Sequence, residues 1–321
     1  MKKKIIIVSG DPNSINSEII FKCWKKLPLS IKNRIILISN YKLLNDQFKK
    51  LKYKIQLEKI SNLLENNNKS KLKVFNVDLN YKKSFNVSSN LSANFVIKCL
   101  NLAHKLGLDQ SVAGIINCPI NKKHLKKNNI GVTEYLAKKC AIKDGSEVMI
   151  IGNRNLIVSP LTTHIDIKSI PGKIKKKLIK IKIKTIYNWY KKQFKRRPRI
   201  ALLGLNPHNA EFKKGSEEHE HILPAIKDLN KLKIRLDGPI PSDTIFINKY
   251  KDYDIIVGMY HDQVLAPFKA LFKFDAINLT LGLKYIRISP DHGVAFDKIM
   301  KKESDPTSLL KCIYYIHKKS L

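Results

Sequence analysis

The sequence predicts an α/β protein with a largely parallel, buried sheet, and three observations support this class. Short apolar runs rich in β-branched residues recur along the 321 residues, each run ends in a polar or turn-rich segment, and stretches with helical spacing lie between many of the runs. This alternation is typical of parallel sheets covered by helices. A chain of this length can form two domains with separate cores. No G-x-G-x-x-G string follows any predicted strand, so a Rossmann dinucleotide turn is not expected.

The predicted elements follow one another along the chain. Eight apolar runs predict strands at residues 5–8, 34–39, 112–117, 156–161, 200–205, 255–259, 276–279 and 285–288. Five stretches predict helices at residues 17–26, 89–106, 133–140, 174–194 and 219–232. Glu217 and Glu218 open the last helix, where acidic side chains suit the positive helix end. Residues 49–83 are polar and rich in lysine and asparagine, which indicates a peripheral excursion.

Features of membrane insertion and export are weak. The lysines at 2–4 precede only four apolar residues, fewer than the roughly 7–15 of a signal-peptide core, so residues 5–8 predict a buried first strand. No apolar run approaches the roughly 18–20 residues of a membrane span. The five cysteines are scattered and show no CxxC spacing, which favours reduced thiols in a cytoplasmic protein.

The net charge of +35 raises the hypothesis of a nucleic-acid-binding protein. Lysines outnumber arginines 54 to seven, whereas nucleic-acid readers usually rely on the planar fork of arginine. The lysines are also spread through the whole chain. The composition therefore indicates a solvated basic surface, whose field attracts small phosphorylated molecules. A nucleic-acid-binding protein stays open as an alternative from a different class.

Three histidines, His164, His208 and His261, each come shortly after a predicted strand. Ligands of α/β sheets bind at the carboxyl ends of strands, so three imidazoles there predict a divalent metal site with open coordination positions. Asp166 and Asp262 are near enough in sequence to orient the rings. The alternative is three unrelated, hydrogen-bonded loop residues, because dozens of residues separate the histidines.

The other histidines carry weaker signals. His219 and His221 stand close together, but residues two apart on a helix point to different sides, so they are interpreted as surface residues. His104, His124 and His317 lie in lysine-rich amphipathic stretches and suggest no function.

A polar group of Lys269, Asn278 and Arg287 lies towards the C-terminal end of the chain. Arg287 interrupts an apolar strand in a chain that otherwise prefers lysine, and a guanidinium there needs an anion. A bound phosphate or carboxylate is one partner, and an internal salt bridge to Asp291 or Asp275 is the other. Both interpretations remain open at this point.

Five strings of the sequence resemble a known family. They are Gly204-Leu-Asn-Pro-His208, Pro241-Ser-Asp-Thr244, Met259-Tyr-His-Asp-Gln263, Ile277-Asn-Leu-Thr-Leu-Gly-Leu283 and Ile286-Arg-Ile-Ser-Pro-Asp-His-Gly293. In this order they resemble the 4-hydroxythreonine-4-phosphate dehydrogenase family of pyridoxal phosphate synthesis. The likeness runs from the first strand to near the C-terminus and is strongest over residues 112–293.

The resemblance implies the two-lobed fold of isocitrate and isopropylmalate dehydrogenases, with one lobe at 1–125 plus 295–321 and the other at 126–294. It also implies a homodimer whose metal ligands come from both subunits, NAD or NADP as cofactor, and one divalent metal such as zinc, magnesium or cobalt. The implied metal ligands are His164, His208 and His261. The implied substrate-binding residues are Thr133, Lys269, Asn278 and Arg287.

The implied reaction is oxidation of 4-phosphooxy-L-threonine at C3, followed by decarboxylation to 3-amino-2-oxopropyl phosphate. Val132 stands where the family has the histidine of a His-Thr pair, and residues 11–17 lack the later glycines of the family's first turn. A related dehydrogenase acting on threonate or erythronate 4-phosphate is therefore the alternative within the enzyme class. The general base is not assigned, and Asp243 and Lys122 are open candidates.

Overall fold

The computed structural model describes residues 2–63, 70–128, 131–273 and 275–319. The chain forms two compact units, the first made of Met1–Val132 and Lys284–Leu321 and the second of Thr133–Leu283. Each unit combines a predominantly parallel sheet with helices, which confirms the predicted α/β class. The lobe boundaries 1–125 plus 295–321 and 126–294 stay a prediction.

The helices and strands alternate along the chain. The first segment contains β1 (Lys4–Val8), α1 (Asn16–Lys26), α2 (Leu29–Lys32), β2 (Ile35–Ser39), α3 (Tyr41–Lys50), β3 (Leu57–Ile60), β4 (Leu72–Asn76), α4 (Ser89–Gly107) and β5 (Val112–Asn117). The middle segment contains α5 (Val132–Lys139), β6 (Val148–Gly152), β7 (Ile157–Pro160), α6 (Ile170–Lys173), α7 (Lys176–Phe194), β8 (Ile200–Leu203), α8 (Leu223–Lys231), β9 (Leu236–Ile240), α9 (Ser242–Ile245), β10 (Ile255–Gly258), α10 (His261–Phe272) and β11 (Ile277–Leu281). The last segment contains β12 (Arg287–Pro290) and α11 (Thr307–Lys319).

The strands of the first unit are all parallel and follow the order β3-β4-β2-β1-β5-β12. Every residue of β1 and β2 is buried. This is expected of central strands in a parallel sheet, because helices cover both of its faces. Helices α4 and α11 pack against these strands. The lysine-flanked apolar run at the start of the chain is therefore a buried strand, as predicted.

The prediction of a peripheral excursion at residues 49–83 is wrong in part. Within it, β4 pairs in parallel with β2, and β3 pairs in parallel with β4. The segment thus supplies the two outermost strands on one side of the sheet, while its residues 64–69 lie outside the described residues. β3 is an edge strand, and edge strands tolerate charged side chains, which explains why its polar composition concealed it.

The second unit has the strand order β11-β6-β7-β10-β8-β9. β6 runs antiparallel to β11 and β7, whereas β7, β10, β8 and β9 run parallel to one another. The core between this sheet and α10 contains Val158, Leu203, Ile256 and Phe268, each almost fully buried. The four parallel strands end at one common edge, and this edge carries the predicted metal ligands.

Two further properties concern membrane insertion and the state of the cysteines. Across the described ranges, no helix combines the length and the apolar character needed to cross a bilayer. All five cysteines are free thiols buried in the protein.

Candidate functional site

The three predicted metal ligands lie on three neighbouring strand ends of the second unit. His164 lies in the loop after β7, His261 opens α10 after β10, and His208 follows β8. In the sheet, β10 lies between β7 and β8 and is parallel to both. Adjacent strands are about 4.8 Å apart, so the three histidine-bearing loops form a row with the His261 loop in the middle.

His164 and His261 are brought together by this row, because their ring centroids are 5.8 Å apart. Each ring has a carboxylate beside Nδ1: Asp262 Oδ1 is 2.6 Å from His261 Nδ1, and Glu134 Oε1 is 3.7 Å from His164 Nδ1. The hydrogen bond to Asp262 favours the proton on Nδ1 of His261 and turns the lone pair of its Nε2 outward, and the nearby negative charge of Glu134 favours the same tautomer of His164. Neither Nε2 hydrogen-bonds to a residue that the structure describes, so the two rings fit a divalent metal.

Glu134, on α5, is a residue that the sequence did not signal, and it lies where Asp166 was expected. Its Oε1 accepts a hydrogen bond of 2.6 Å from the Thr163 hydroxyl. Burial alone would raise the pKa of Glu134, but the neighbouring His164 ring and Thr163 lower it to about 2. The carboxylate therefore stays ionised at physiological pH and favours an Nδ1-protonated His164.

His208 lies in a different backbone environment. It begins a run of five residues with positive φ, from His208 (φ 50°) to Phe212 (φ 56°), within the turn Pro207–Phe212. No three His, Cys, Asp or Glu side chains gather into a possible metal site within the described part of a single chain. The structure thus unites two of the three predicted ligands, and the complete trio stays a prediction.

Glu218 begins a helical segment, as predicted, and its carboxylate also has a second role. Glu218 is fully buried, and its Oε1 accepts hydrogen bonds from the backbone N–H groups of Leu205 (2.7 Å) and Asn206 (2.8 Å). The Asn206 side chain donates a further hydrogen bond of 2.9 Å to Glu218 Oε2. The carboxylate therefore fixes the loop that leads to His208. Sequence reasoning missed this role because the contact joins residues of different elements.

Two of the predicted substrate-binding residues share one neighbourhood of the second unit. The Thr133 hydroxyl on α5 is 3.2 Å from the Thr280 hydroxyl on β11. Asn278 is two residues before Thr280, so both side chains project from the same face of β11. The Asn278 Oδ1 atom is buried and has no hydrogen-bond partner among the described residues. Such an oxygen is available to a bound ligand. Lys269 is half-buried on α10.

Arg287, the fourth predicted substrate-binding residue, lies in the first unit at the start of β12. Its side chain is buried, and Nε donates a hydrogen bond of 2.6 Å to Asn117 Oδ1 at the end of β5. This contact orients the guanidinium, and the role of Arg287 in substrate binding stays a prediction.

A cavity of about 230 Å³ lies beside the His164 loop in the second unit. Its walls include Thr133, Glu134, Thr163, Ile165 and Lys182. A space of this size next to both a predicted metal ligand and a predicted substrate-binding residue is large enough for part of a small metabolite.

The first unit contains a buried hydrogen bond between His124 and Asp11. His124 Nε2 is 2.8 Å from Asp11 Oδ2, and both side chains are almost fully buried. The pair links the turn after β1 to the segment after β5.

In the turn after β1, only Gly10 has a positive φ (77°), so the absence of later glycines creates no backbone strain.

The open candidates for the general base, Asp243 and Lys122, are both exposed and lie in different units.

Solved structures define the class of this fold. An isocitrate dehydrogenase from Methylococcus capsulatus aligns over 98% of this chain and 85% of that chain, with a TM-score of 0.52 and 10% identity. At that identity the likeness concerns the fold alone. A crystal structure of 4-hydroxythreonine-4-phosphate dehydrogenase from Klebsiella pneumoniae aligns over 99% of this chain and 100% of that chain, with a TM-score of 0.84 and 28% identity. The protein therefore has the isocitrate dehydrogenase-like α/β fold.

Sequence relatives identify the family within that class. The chain belongs to the family described as pyridoxal phosphate biosynthetic protein PdxA, whose family model matches residues 31–316. A 4-hydroxythreonine-4-phosphate dehydrogenase from Sulfurihydrogenibium sp. (strain YO3AOP1) is 36% identical over 97% of this chain and 96% of the relative. A protein from Oceanobacillus iheyensis, provisionally named D-threonate 4-phosphate dehydrogenase, is 32% identical over 98% of this chain and 97% of the relative.

Proposed function

We propose that this protein oxidises 4-phosphooxy-L-threonine at C3 with NAD or NADP, and that decarboxylation to 3-amino-2-oxopropyl phosphate follows. The observation that carries the proposal is the row of histidine-bearing strand ends, in which the His164 and His261 rings are 5.8 Å apart. Membership of the pyridoxal phosphate biosynthetic family supports the same reaction. In the cell, the product would enter vitamin B6 synthesis in the cytoplasm.

The proposed metal ligands are His164, His208 and His261, and the metal is zinc, magnesium or cobalt. When bound, a divalent cation lowers the pKa of a coordinated hydroxyl and stabilises developing negative charge, while nicotinamide accepts the hydride. The carboxylates of Glu134 and Asp262 hold protons on Nδ1 of their histidines, so that Nε2 offers a lone pair. Ligation requires neutral imidazole. In the proposed homodimer, ligands from both subunits complete the trio.

The proposed substrate-binding residues are Thr133, Lys269, Asn278 and Arg287. Lysine and arginine supply positive charge for the phosphate and carboxylate of the substrate, and the threonine hydroxyl and the asparagine amide supply hydrogen bonds. Anchoring the anionic groups fixes the reacting carbon, which is worth several kcal/mol of the barrier in typical enzymes. The basic surface of the whole chain adds a long-range, salt-sensitive attraction for a phosphorylated substrate.

A second substrate class is favoured by one residue. Val132 offers no hydrogen bond where the family has a histidine, and the Oceanobacillus iheyensis relative carries the threonate phosphate name. The alternative is therefore oxidation of D-threonate or erythronate 4-phosphate by the same metal-dependent chemistry.

A nicotinamide-reduction assay tests the proposal. The purified protein is incubated with 4-phosphooxy-L-threonine, D-threonate 4-phosphate or erythronate 4-phosphate, with NAD or NADP, before and after exhaustive chelation. We expect the threonine derivative to be oxidised with release of carbon dioxide, and we expect chelation to lower the rate by more than about 100-fold, because the metal supplies several kcal/mol of charge stabilisation.

Variants control this assay. His261→Ala should abolish turnover, whereas His219→Ala, which removes an exposed histidine of the same unit, should not. Faster oxidation of D-threonate 4-phosphate would transfer the proposal to the second substrate class. Full turnover after chelation would refute the metal site. Absence of reduction with every substrate, together with salt-sensitive retention on DNA, would favour the nucleic-acid-binding alternative instead.

A further inference from the structure

Gln263 spans two of the strand ends that carry the predicted metal ligands. Its Oε1 accepts a hydrogen bond of 2.6 Å from the backbone N–H of Met259, which lies between β10 and His261. Its Nε2 donates a hydrogen bond of 2.7 Å to the carbonyl oxygen of Gly204, which lies between β8 and His208. One side chain therefore ties together the backbones that lead into two different histidines.

The chemistry of this bridge is specific to a primary amide. One end must accept a hydrogen bond from an N–H group and the other must donate to a carbonyl oxygen, and glutamine offers both at the required length. A carboxylate would place a second acceptor against the Gly204 carbonyl. An aliphatic side chain would leave both backbone groups without their partner.

Glycines at 258 and 204 allow close packing, the first against Gln263 itself and the second within the loop that Gln263 contacts. A Cβ atom on Gly258 would lie 2.9 Å from Gln263 Oε1 and 2.6 Å from Val264 Cγ1. A Cβ atom on Gly204 would collide with the Asn209 side chain that packs behind the same loop. Side chains at positions 204 and 258 would therefore displace the backbone segments that Gln263 joins.

The neighbouring contacts fix the remaining sides of the same loops. Glu218 holds the N–H groups of Leu205 and Asn206, as described above. Thr162 Oγ1, two residues before His164, donates a hydrogen bond of 2.7 Å to the Met259 carbonyl oxygen. Gln263 is the link between the His208 side and the His261 side of this network.

We infer that Gln263 is a positioning residue of the metal site, which sets the spacing of the His208 and His261 loops and thereby the affinity for the metal. The inference rests on the metal site of the proposed function. Both ends of the Gln263 amide bind backbone, so the residue acts through the two histidine loops. Loss of a residue that orients metal ligands typically weakens metal binding about 10- to 100-fold.

Binding of Co²⁺ to metal-free protein tests the inference, measured by calorimetry and by the visible absorption of the bound ion. Gln263→Met keeps the length and volume of the side chain but loses both hydrogen bonds. We expect it to weaken Co²⁺ binding about 10- to 100-fold and to alter the absorption spectrum. Excess Co²⁺ should restore part of the turnover, which a purely structural defect would not allow.

Asn230→Leu is the matched control. Asn230 also makes two hydrogen bonds to backbone, to the N–H and carbonyl groups of Leu236, in the same unit but away from the histidine loops. We expect this variant to lower the thermal midpoint of the metal-free protein about as much as Gln263→Met does, while Co²⁺ affinity and spectrum stay as in the wild type.

Three outcomes would overturn the inference, and they are distinguishable. Wild-type affinity and spectrum in Gln263→Met would show that the bridge does not position the ligands. Equal weakening in Asn230→Leu would reduce the effect to general destabilisation. Failure of the wild-type protein to bind Co²⁺ would refute the proposed metal site and this inference with it. If Gln263→Met does not fold, Gln263→Asn, whose amide is one methylene too short to span the gap, must show the weakening.

Discussion

At the scale of single residues, Lys182 is a buried charged group that lowers the stability of the folded protein. It lies on α7 with only 8% of its surface exposed, on the wall of the cavity beside His164. Burial lowers the pKa of Lys182, and the nearby carboxylates of Glu147 and Glu134 oppose this effect without cancelling it. The charged form therefore opposes folding at neutral pH.

Replacement of this residue gives a pH-dependent prediction. Because the folded pKa of Lys182 is below the 10.5 of an unfolded lysine, the unfolded chain binds more protons between these two values, and the free energy of unfolding rises with pH across that window. Lys182→Met removes the group. It should therefore unfold at a higher temperature than the wild type at pH 7, and the difference should shrink as the pH approaches 10.5.

Thermal unfolding at several pH values checks this result. Lys184→Met is the control, since Lys184 is exposed on the same helix and should leave the thermal midpoint nearly unchanged. A variant at position 182 that is less stable than the wild type at pH 7 would show that the carboxylates, and not burial, dominate its energetics.

At the scale of elements, the turn Pro207–Phe212 contains a run of residues with left-handed backbone conformation. Five consecutive residues other than glycine have φ between 50° and 57°. Each such residue costs on the order of 1 kcal/mol because its Cβ crowds the following carbonyl oxygen. Strain of this kind persists only where surrounding contacts hold it, and here Glu218 and Asn209 do so. The held turn is the one that carries His208.

Relief of this strain is measurable. Ala210→Gly should increase the free energy of unfolding by up to about 1 kcal/mol, because glycine adopts positive φ without steric cost. Ala225→Gly, in the interior of α8, should decrease it by at least about 1 kcal/mol, since glycine is a poor helix former. Urea denaturation of both variants checks the pair. A loss of stability in Ala210→Gly would contradict the left-handed turn.

At the scale of the whole molecule, exposed apolar side chains gather around the histidine loops. Ile165 and Ile167 are exposed in the His164 loop, and Phe212 is exposed at the end of the His208 turn. Large apolar side chains placed this way on a surface with a net charge of +35 suit a protein interface. They support the proposed homodimer with metal ligands from both subunits.

Disruption of this surface should produce monomers. Ile167 is 78% exposed, and burying an isoleucine contributes about 1.5–3 kcal/mol on each side of a symmetric interface. Ile167→Lys should therefore weaken the dimer at least roughly 100-fold and lower turnover with it. Sedimentation velocity should show a species of twice the 36.9 kDa chain mass in the wild type only. Leu232→Lys, also exposed in the second unit, should remain dimeric. A wild-type monomer would refute the proposed dimer.

Several parts of the fold could be predicted from the sequence. β5 occupies the predicted residues 112–117, and α1, α4 and α7 lie within a few residues of their predicted bounds. The apolar strand β6 was not predicted despite its clear local signal, whereas two other strands that were not predicted have weak local signals. β9 contains Gly238 and Pro239, which usually indicate a turn, and β3 is a polar edge strand. Burial and strand pairing decided these segments against their local composition.

The candidate site was predictable only in its principal residues. Strand-end position and family resemblance indicated His164, His208, His261, Thr133 and Asn278, but no local pattern indicated the residues that support them. Glu134, Glu218 and Gln263 contact backbone or side chains that lie far away in sequence or in another element. The partners of Gln263 become neighbours because β10 lies beside β8, and this strand order is not encoded in any short segment.

The sequence by itself determined the α/β class, the family and the strand ends at which histidines occur, because periodic burial and long motifs are written along the chain. Only the tertiary structure decided that His164 and His261 face each other, that His208 begins a left-handed turn and that Gln263 joins two strand ends. These facts depend on which strands lie side by side. That order is set by the packing of the whole second unit, since each hydrogen bond forms only after distant segments have met.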